Sequence, residues 1–347
     1  MSRRRRVGTA LGIAALLAAT CAVGGLPGAY ADDAVTVLER ARTATVREDF
    51  AGTVQIEWLD DGGWRSARTK VTGAGGAVQV GEGARQAGGR AEDRWIAGVT
   101  GWKVGWDEPV ARAAPSPATR WDLTMATGTP VAGRATVMVT ASDPKTGAPR
   151  VRAYCDKATG VMLRREILDR QGRVVRAVGF VEVARLGGAT AVPPTTPQAA
   201  ERRPSARGAD PTPDAVRALP AGVAAPDRVT GFVLAGRYER SDGTVQLYYS
   251  DGLFGVSVFQ QVGVLDPGGM PVADDRTRVR DTAALGYEVA GGSVLVWERD
   301  GVTRTLVSDA TVADLRDFAV AFDDRAADGR GLVDRVADFL FGPFGWR

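Results

Sequence analysis

From Phe50 onward, apolar side chains return at every second residue, in short runs separated by glycine-bearing turns. Val54, Ile56 and Trp58 share one face of a run from Phe50 to Leu59, and Asp60-Asp61-Gly62-Gly63 then reverses the chain into Trp64–Thr72. Gly73–Gly76 leads to Ala77–Val80, and Arg94–Ala97 and Trp102–Trp106 flank Gly98–Gly101. Asp143–Gly147 joins Arg134–Ala141 to Arg150–Lys157. Thr159-Gly160 opens Val161–Asp169, and Arg170-Gln171-Gly172 opens Arg173–Arg185. A period of two sustained through so many tight turns predicts an antiparallel meander, because parallel strands need long crossovers that this spacing lacks. The period differs only at the start, where Val35, Leu38, Ala41 and Val46 recur at helical spacing over 34–48 behind Asp32 and Asp33. We expect an α+β first domain over 32–186: an unclosed antiparallel β-barrel wrapping one helix, which buries both with little chain.

Residues 187–213 break the pattern with Gly187-Gly188, Pro193-Pro194 and four further prolines, and read as an extended linker. A second domain is expected over 214–324, a small antiparallel sheet with one helix. Its strands are Val229–Glu239, Val245–Tyr249, Leu253–Val262, Leu285–Val289, Val294–Arg299 and Val302–Val307. Val312, Leu315, Phe318 and Ala319 then mark a helix over 311–322, with Ser308 or Asp309 as its cap. Residues 325–347 form a tail in which Leu332, Val333, Val336, Phe339 and Leu340 make a narrow apolar stripe. It suits a short helix docking on the second domain or a segment for a membrane surface or partner.

The first 31 residues read as a secretory signal peptide: Arg3–Arg6, an apolar run from Leu11 to Val23, and Ala29-Tyr30-Ala31 as the cleavage site. The run is short for a membrane span of about 20 residues. Cleavage after Ala31 places the protein outside the cytoplasm, in a periplasm or on the outer face of the cytoplasmic membrane; the general secretory and twin-arginine routes both stay open. It removes four of 44 basic residues and no acidic one, so the formal charge of +3 belongs to the targeting segment. A basic patch for nucleic acid is therefore not implied. Of two cysteines only Cys155 remains, which excludes an intramolecular disulfide and leaves a thiol that is either buried in a strand or reactive.

The chain contains no histidine. Ser-His-Asp and Cys-His catalysis and every His-ligated metal site are thereby excluded. No phosphate loop, nucleophile elbow or calcium loop is present, and the acidic pairs Glu57/Asp60, Glu92/Asp93 and Asp274/Asp275 lie in no motif that fixes their separation. We expect a protein that is not an enzyme, with no catalytic residue, no metal and no cofactor. Six of its eight tryptophans lie in the first domain. Trp58, Trp95, Trp102, Trp106 and Trp121 either fill the core or line an apolar pocket for an acyl chain between sheet and helix.

The segment Tyr249-Ser250-Asp251-Gly252-Leu253-Phe254-Gly255-Val256-Ser257-Val258-Phe259 resembles the MucB/RseB family of extracytoplasmic regulators of sigma factors. So do Val131-Ala132-Gly133-Arg134, Thr159-Gly160-Val161-Met162-Leu163 and Leu168-Asp169-Arg170-Gln171-Gly172. The order of signal peptide, helix, meander, linker and second domain is similar too. The resemblance implies a LolA-like first domain and a non-enzymatic sensor. Such a sensor binds the exported part of a single-pass membrane anti-sigma factor and shields it from proteolysis until an envelope lipid or misplaced lipoprotein releases it. On this reading Tyr248, Tyr249, Phe254 and Phe259 are candidates for the partner surface, although strand alternation sends some of them inward. The alternative is a carrier of lipids or lipoproteins that uses the tryptophan-rich domain.

Overall fold

Alternating burial is plainest in β16 (Val302–Ser308), where each odd-placed residue from Val302 is buried and each intervening one half-exposed. The computed structural model describes residues 27–60, 63–74, 77–80, 115–187, 219–220, 222–239 and 243–324. It begins with α1 (Pro27–Arg47), which starts ahead of the expected 34–48 and buries Ala34, Ala41 and Ala44. β1 (Phe50–Asp60), β2 (Gly63–Ala74), β3 (Ala77–Val80), β4 (Asp122–Val131), β5 (Arg134–Ser142), β6 (Pro149–Asp156), β7 (Met162–Leu168) and β8 (Val174–Leu186) follow. They form one antiparallel sheet in the order β3-β2-β1-β8-β7-β6-β5-β4. The strands expected at 94–97 and 102–106 lie outside the described residues.

The second sheet is larger than expected. β9 (Arg228–Val229), β10 (Phe232–Glu239), β11 (Val245–Ser250), β12 (Gly255–Val262), β13 (Asp275–Val279), β14 (Thr282–Val289), β15 (Gly292–Arg299) and β16 make an eight-stranded sheet, β13-β14-β15-β16-β12-β11-β10-β9. It has as many strands as the first, so "small" does not describe it. α2, over 312–324, lies on one face. Its cap is Thr311, one residue before the helix, rather than Ser308 or Asp309. Thr311 Oγ1 accepts from Asp314 N (3.3 Å) and the Asp314 carboxylate accepts from Thr311 N (3.3 Å), a reciprocal capping box.

The described residues form two antiparallel sheets with two α-helices, and neither sheet closes on itself among them. One core joins them. Ala34 of α1 and Leu123, Val139, Ala141, Val151 and Ile167 of the first sheet belong to the same buried cluster as Tyr249, Leu295, Trp297, Leu306 and α2's Leu315, Phe318 and Phe322. A separate cluster of Ala44, Phe50, Val54, Val71, Leu163 and Phe180 lies under the C-terminal half of α1. No helix among the described residues is long and apolar enough to cross a membrane.

Candidate functional site

The segment 249–259 forms the end of β11, a turn and most of β12. Tyr249 is fully buried, with its ring against Phe318 (5.4 Å) and Phe322 (6.2 Å) and its hydroxyl donating to Pro226 O (2.8 Å). The turn that follows carries the second sheet against the first. Asp251, also fully buried, accepts from Leu253 N (3.0 Å) and Phe254 N (2.7 Å) through Oδ1, which closes the turn. Its Oδ2 stands 3.0 Å from Arg120 Nε, in an ion pair without hydrogen-bond geometry. Gly252 has φ +92°, and a Cβ there would lie 2.5 Å from Pro115 O and 2.8 Å from Pro117 N, so the chain leading to β4 rests directly on this glycine. Phe254 packs on Trp121 with ring centroids 5.7 Å apart.

Around this turn the two sheets exchange charge in one direction. The first sheet and its turns supply arginines, and the second sheet and α2 supply carboxylates. Arg165 pairs with Asp309 and donates to Leu253 O (2.7 Å). Arg176 donates to Asp309 O (2.9 Å) and to Glu288 Oε2 (2.7 Å). Glu288 also accepts from Ser293 Oγ (2.7 Å) and from Val312 N (3.1 Å) at the start of α2. Arg150 reaches Asp314 (2.5 Å), and Arg170 reaches Asp314 (3.2 Å) and Asp317 (2.6 Å). Three of the carboxylates lie at or just before the first turns of α2, where the helix dipole favours negative charge.

This joint is closed but costly. Burial pushes the Asp251 carboxyl up to about 6, against the Arg120 charge and two backbone N–H groups that pull it down. Burial likewise raises Glu288 and lowers the Arg176 guanidinium, in each case against the opposing charge of the other. Trp121 Nε1, Arg176 Nε and Asp251 Oδ2 are buried without a hydrogen-bond partner among the described residues, and all three belong to the joint. Desolvated pairs with orphaned atoms stabilise an interface weakly while making its one-sided disruption expensive.

The candidate residues distribute unevenly. Trp121 is core, packed at the joint. Trp58 is half-buried beside Ile56, Val178 and Ala290 in another cluster, so these two do not line a common pocket. Trp95, Trp102 and Trp106 lie outside the described residues. Tyr248, Tyr249 and Phe254 are buried, which removes them from the exposed partner surface; β11 is covered on both faces, with Tyr249 under α2 and Tyr248 on the side of Asp251, Asp309 and Arg165, and Phe254 packs on Trp121. Phe259 is half-buried. Cys155 is buried in β6, and burial pushes its thiol up to about 12. The arginines of the joint, with Glu288 and Asp309, carried no local sequence signal. Their carboxylate partners stand 112 to 164 residues away, and Asp309 had the appearance of a helix cap. Among the described residues no cluster of Cys, Asp and Glu could hold a metal ion.

No family model and no curated protein matches the sequence. Among solved structures the chain is similar to MucB in the MucA/MucB complex of Pseudomonas aeruginosa, at 20% identity and TM-score 0.43, covering 83% of this chain and 98% of that one. It is similar to MucB alone at 20% identity and TM-score 0.44, over 85% and 98%. A putative outer membrane lipoprotein-sorting protein domain from Vibrio parahaemolyticus matches 47% of this chain and 94% of its own, at 9% identity and TM-score 0.20.

Proposed function

We propose that the protein is an exported, non-enzymatic sensor that binds the extracytoplasmic part of a single-pass membrane anti-sigma factor. An envelope lipid or lipoprotein, taken up where the first sheet curves as an unclosed barrel around α1, weakens that binding. The observation that carries the reading is the place of the Tyr249–Phe259 segment. The stretch that resembles the MucB/RseB regulators is the joint between the two sheets, and the joint is built from buried, oppositely charged partners. A regulator with two ligands needs one element whose equilibrium both can bias. Here a ligand that moves the first sheet must pull Arg120, Arg165 and Arg176 from their carboxylates, and so changes the surface the second sheet offers. No chemical step is required.

The test is a mild-detergent pull-down of the tagged chain from its own envelope fraction, with protein and lipid mass spectrometry on the same eluate. A near-stoichiometric single-pass membrane protein with a sigma-binding cytoplasmic domain is the expected result. Lipid without any such protein would overturn the regulator reading in favour of a carrier.

A further inference from the structure

Trp64 is 56% exposed, whereas Trp58 is half-buried and Trp121 is core. It stands on the outer face of the first sheet. Val54 packs inward under α1, and Arg165, in register with Val178, reaches the joint. The alternate residues Gln55, Glu57, Arg164 and Glu166 therefore face the other way. On that same outer face Leu59 pairs across the β1–β2 hairpin with Trp64, and Glu57 pairs with Ser66. β8 crosses the face with two small residues, Ala177 in register between Glu57 and Glu166, and Gly179 between Gln55 and Arg164. The face is sunken there. A cavity of about 380 Å³ opens over it, with Glu57, Trp64 and Ser66 on one side and Arg164, Glu166 and Val174 on the other.

The polar groups of this cavity are tied to one another. Arg164 Nε donates to Glu166 Oε1 (2.9 Å), and Arg164 Nη2 stands 3.7 Å from Glu57 Oε2. A Cβ on Gly179 would lie 3.0 Å from Arg164 Cβ and Cγ, so the arginine stem lies along β8. Glu166 also accepts from the Tyr154 hydroxyl (3.3 Å) and pairs with Arg152 (3.5 Å), and Glu57 accepts from Gln55 Nε2 (2.7 Å). Arg65, which lines the same cavity, pairs with Asp60 (2.8 Å); Arg68 stands a row further out, on Gln55 (2.7 Å). Within the cavity and its ion-pair partners, Arg65, Arg152 and Arg164 balance Asp60, Glu57 and Glu166. An ion entering here must break a pair and meets no excess of opposite charge. A fatty chain finds only Trp64 and Val174 to cover among charged neighbours. A neutral polyhydroxyl compound meets neither obstacle. Arginine–carboxylate pairs set N–H donors beside oxygen lone pairs, which matches adjacent hydroxyls that donate and accept at once. The open Trp64 ring offers an apolar face to the C–H groups of a sugar ring. The volume lies at the small end of ligand pockets, about 300–1,000 Å³, which suits a short saccharide.

We propose that this cavity binds a neutral saccharide, with one ring stacked on Trp64 and its hydroxyls bonded to Glu57, Arg164 and Glu166. The site faces away from α1 and from the joint, so it stands apart from the regulator reading and adds a ligand of different chemistry. It gives the chain a means of attachment to a glycan whether or not a protein partner is bound.

The test is a printed array of neutral oligosaccharides (glucosides, galactosides, mannosides and N-acetylglucosaminides) with uronic-acid and free-amine sugars as charged counterparts, probed with the purified full chain. The expected result is binding to neutral spots that weakens at least about tenfold in Trp64→Ala and, separately, in Glu57→Ala. Trp64→Phe, which keeps a ring, should retain most of it, and Val264→Ala, an exposed apolar residue of the second domain, should leave it unchanged. Urea midpoints equal to the parent's establish that the variants are folded. Binding to no neutral spot would overturn the proposal, as would equal binding by the parent and both alanine variants. Binding confined to the charged sugars would overturn it too, by assigning the cavity to an ion. Competition by the lipid-free polysaccharide or by the glycolipid fraction of the cell envelope supports the site and tells which of the two carries the sugar; competition by neither contradicts it.

Discussion

Asp251 gives the joint a measurable dependence on pH. Its carboxyl titrates near 6 in the folded chain against an ordinary 3.8. The folded state therefore holds the proton more tightly than the unfolded chain across that window. The resulting stability is complete below about pH 4 and is lost as pH rises through about 6. The two-unit gap corresponds to about 3 kcal/mol for a carboxylate this deeply buried. Asp156 and Asp169 act in the opposite sense. Burial opposes their charge, but Arg134 with Thr159, and Arg173 with backbone N–H groups, outweigh it and hold them below the usual carboxylate range, so their stability is lost only as pH falls below about 4. Asp251→Asn, used fresh because Asn-Gly pairs deamidate, keeps the turn's acceptor and removes the titration. Urea unfolding of parent and variant from pH 4 to 7 gives a difference curve in which the other groups cancel. The variant is expected to gain on the parent by about 2 kcal/mol across that range, most of it between pH 4 and 6. A flat difference curve would refute the argument that desolvation of Asp251 opposes closure of the joint.

Removing one side of the buried pair in Arg176→Ala leaves Glu288 uncompensated, and is expected to cost about 3–5 kcal/mol by urea unfolding. Replacing both partners with apolar residues of similar size should recover most of it. Gly252→Ala puts a Cβ against Pro115 and Pro117 at a positive φ; it should lower the melting temperature and open the 115–121 passage to limited proteolysis. Cys155, buried and held protonated, should resist a thiol reagent at pH 8 in the folded chain and react at once in urea.

Much of the fold is legible because antiparallel sheets write their period and their turns into the chain. β1, β2, β5 to β8, β11, β15 and β16 all follow runs of alternating apolar residues bounded by Gly or Asp-Gly. What is not legible lies at edges. β4, with Gly128 and Pro130 inside it, and β13, with Asp275, Arg276 and Arg278 in five residues, are edge strands. An edge strand tolerates proline and exposed charge because one side of it joins no ladder. Missing β13 is part of why the second sheet looked small. The site was hidden for another reason. Tyr249, Asp251 and Phe254 are conspicuous in the sequence, but a conspicuous aromatic says nothing about which way it points. The arginines that meet the turn come from far along the chain, Arg165 from 88 residues before Leu253, and nothing local marks Arg165 or Arg176 against the many other arginines of the chain.

The central claim is that partner and lipid are coupled through the joint. It is tested most directly by measuring the affinity of the captured membrane protein's extracytoplasmic segment for the full chain, with and without envelope lipid extract, in the parent and in Arg176→Ala. The account predicts that lipid weakens binding at least about tenfold in the parent, and that the variant binds the segment poorly whether or not lipid is present. An affinity indifferent to both lipid and the joint would contradict it.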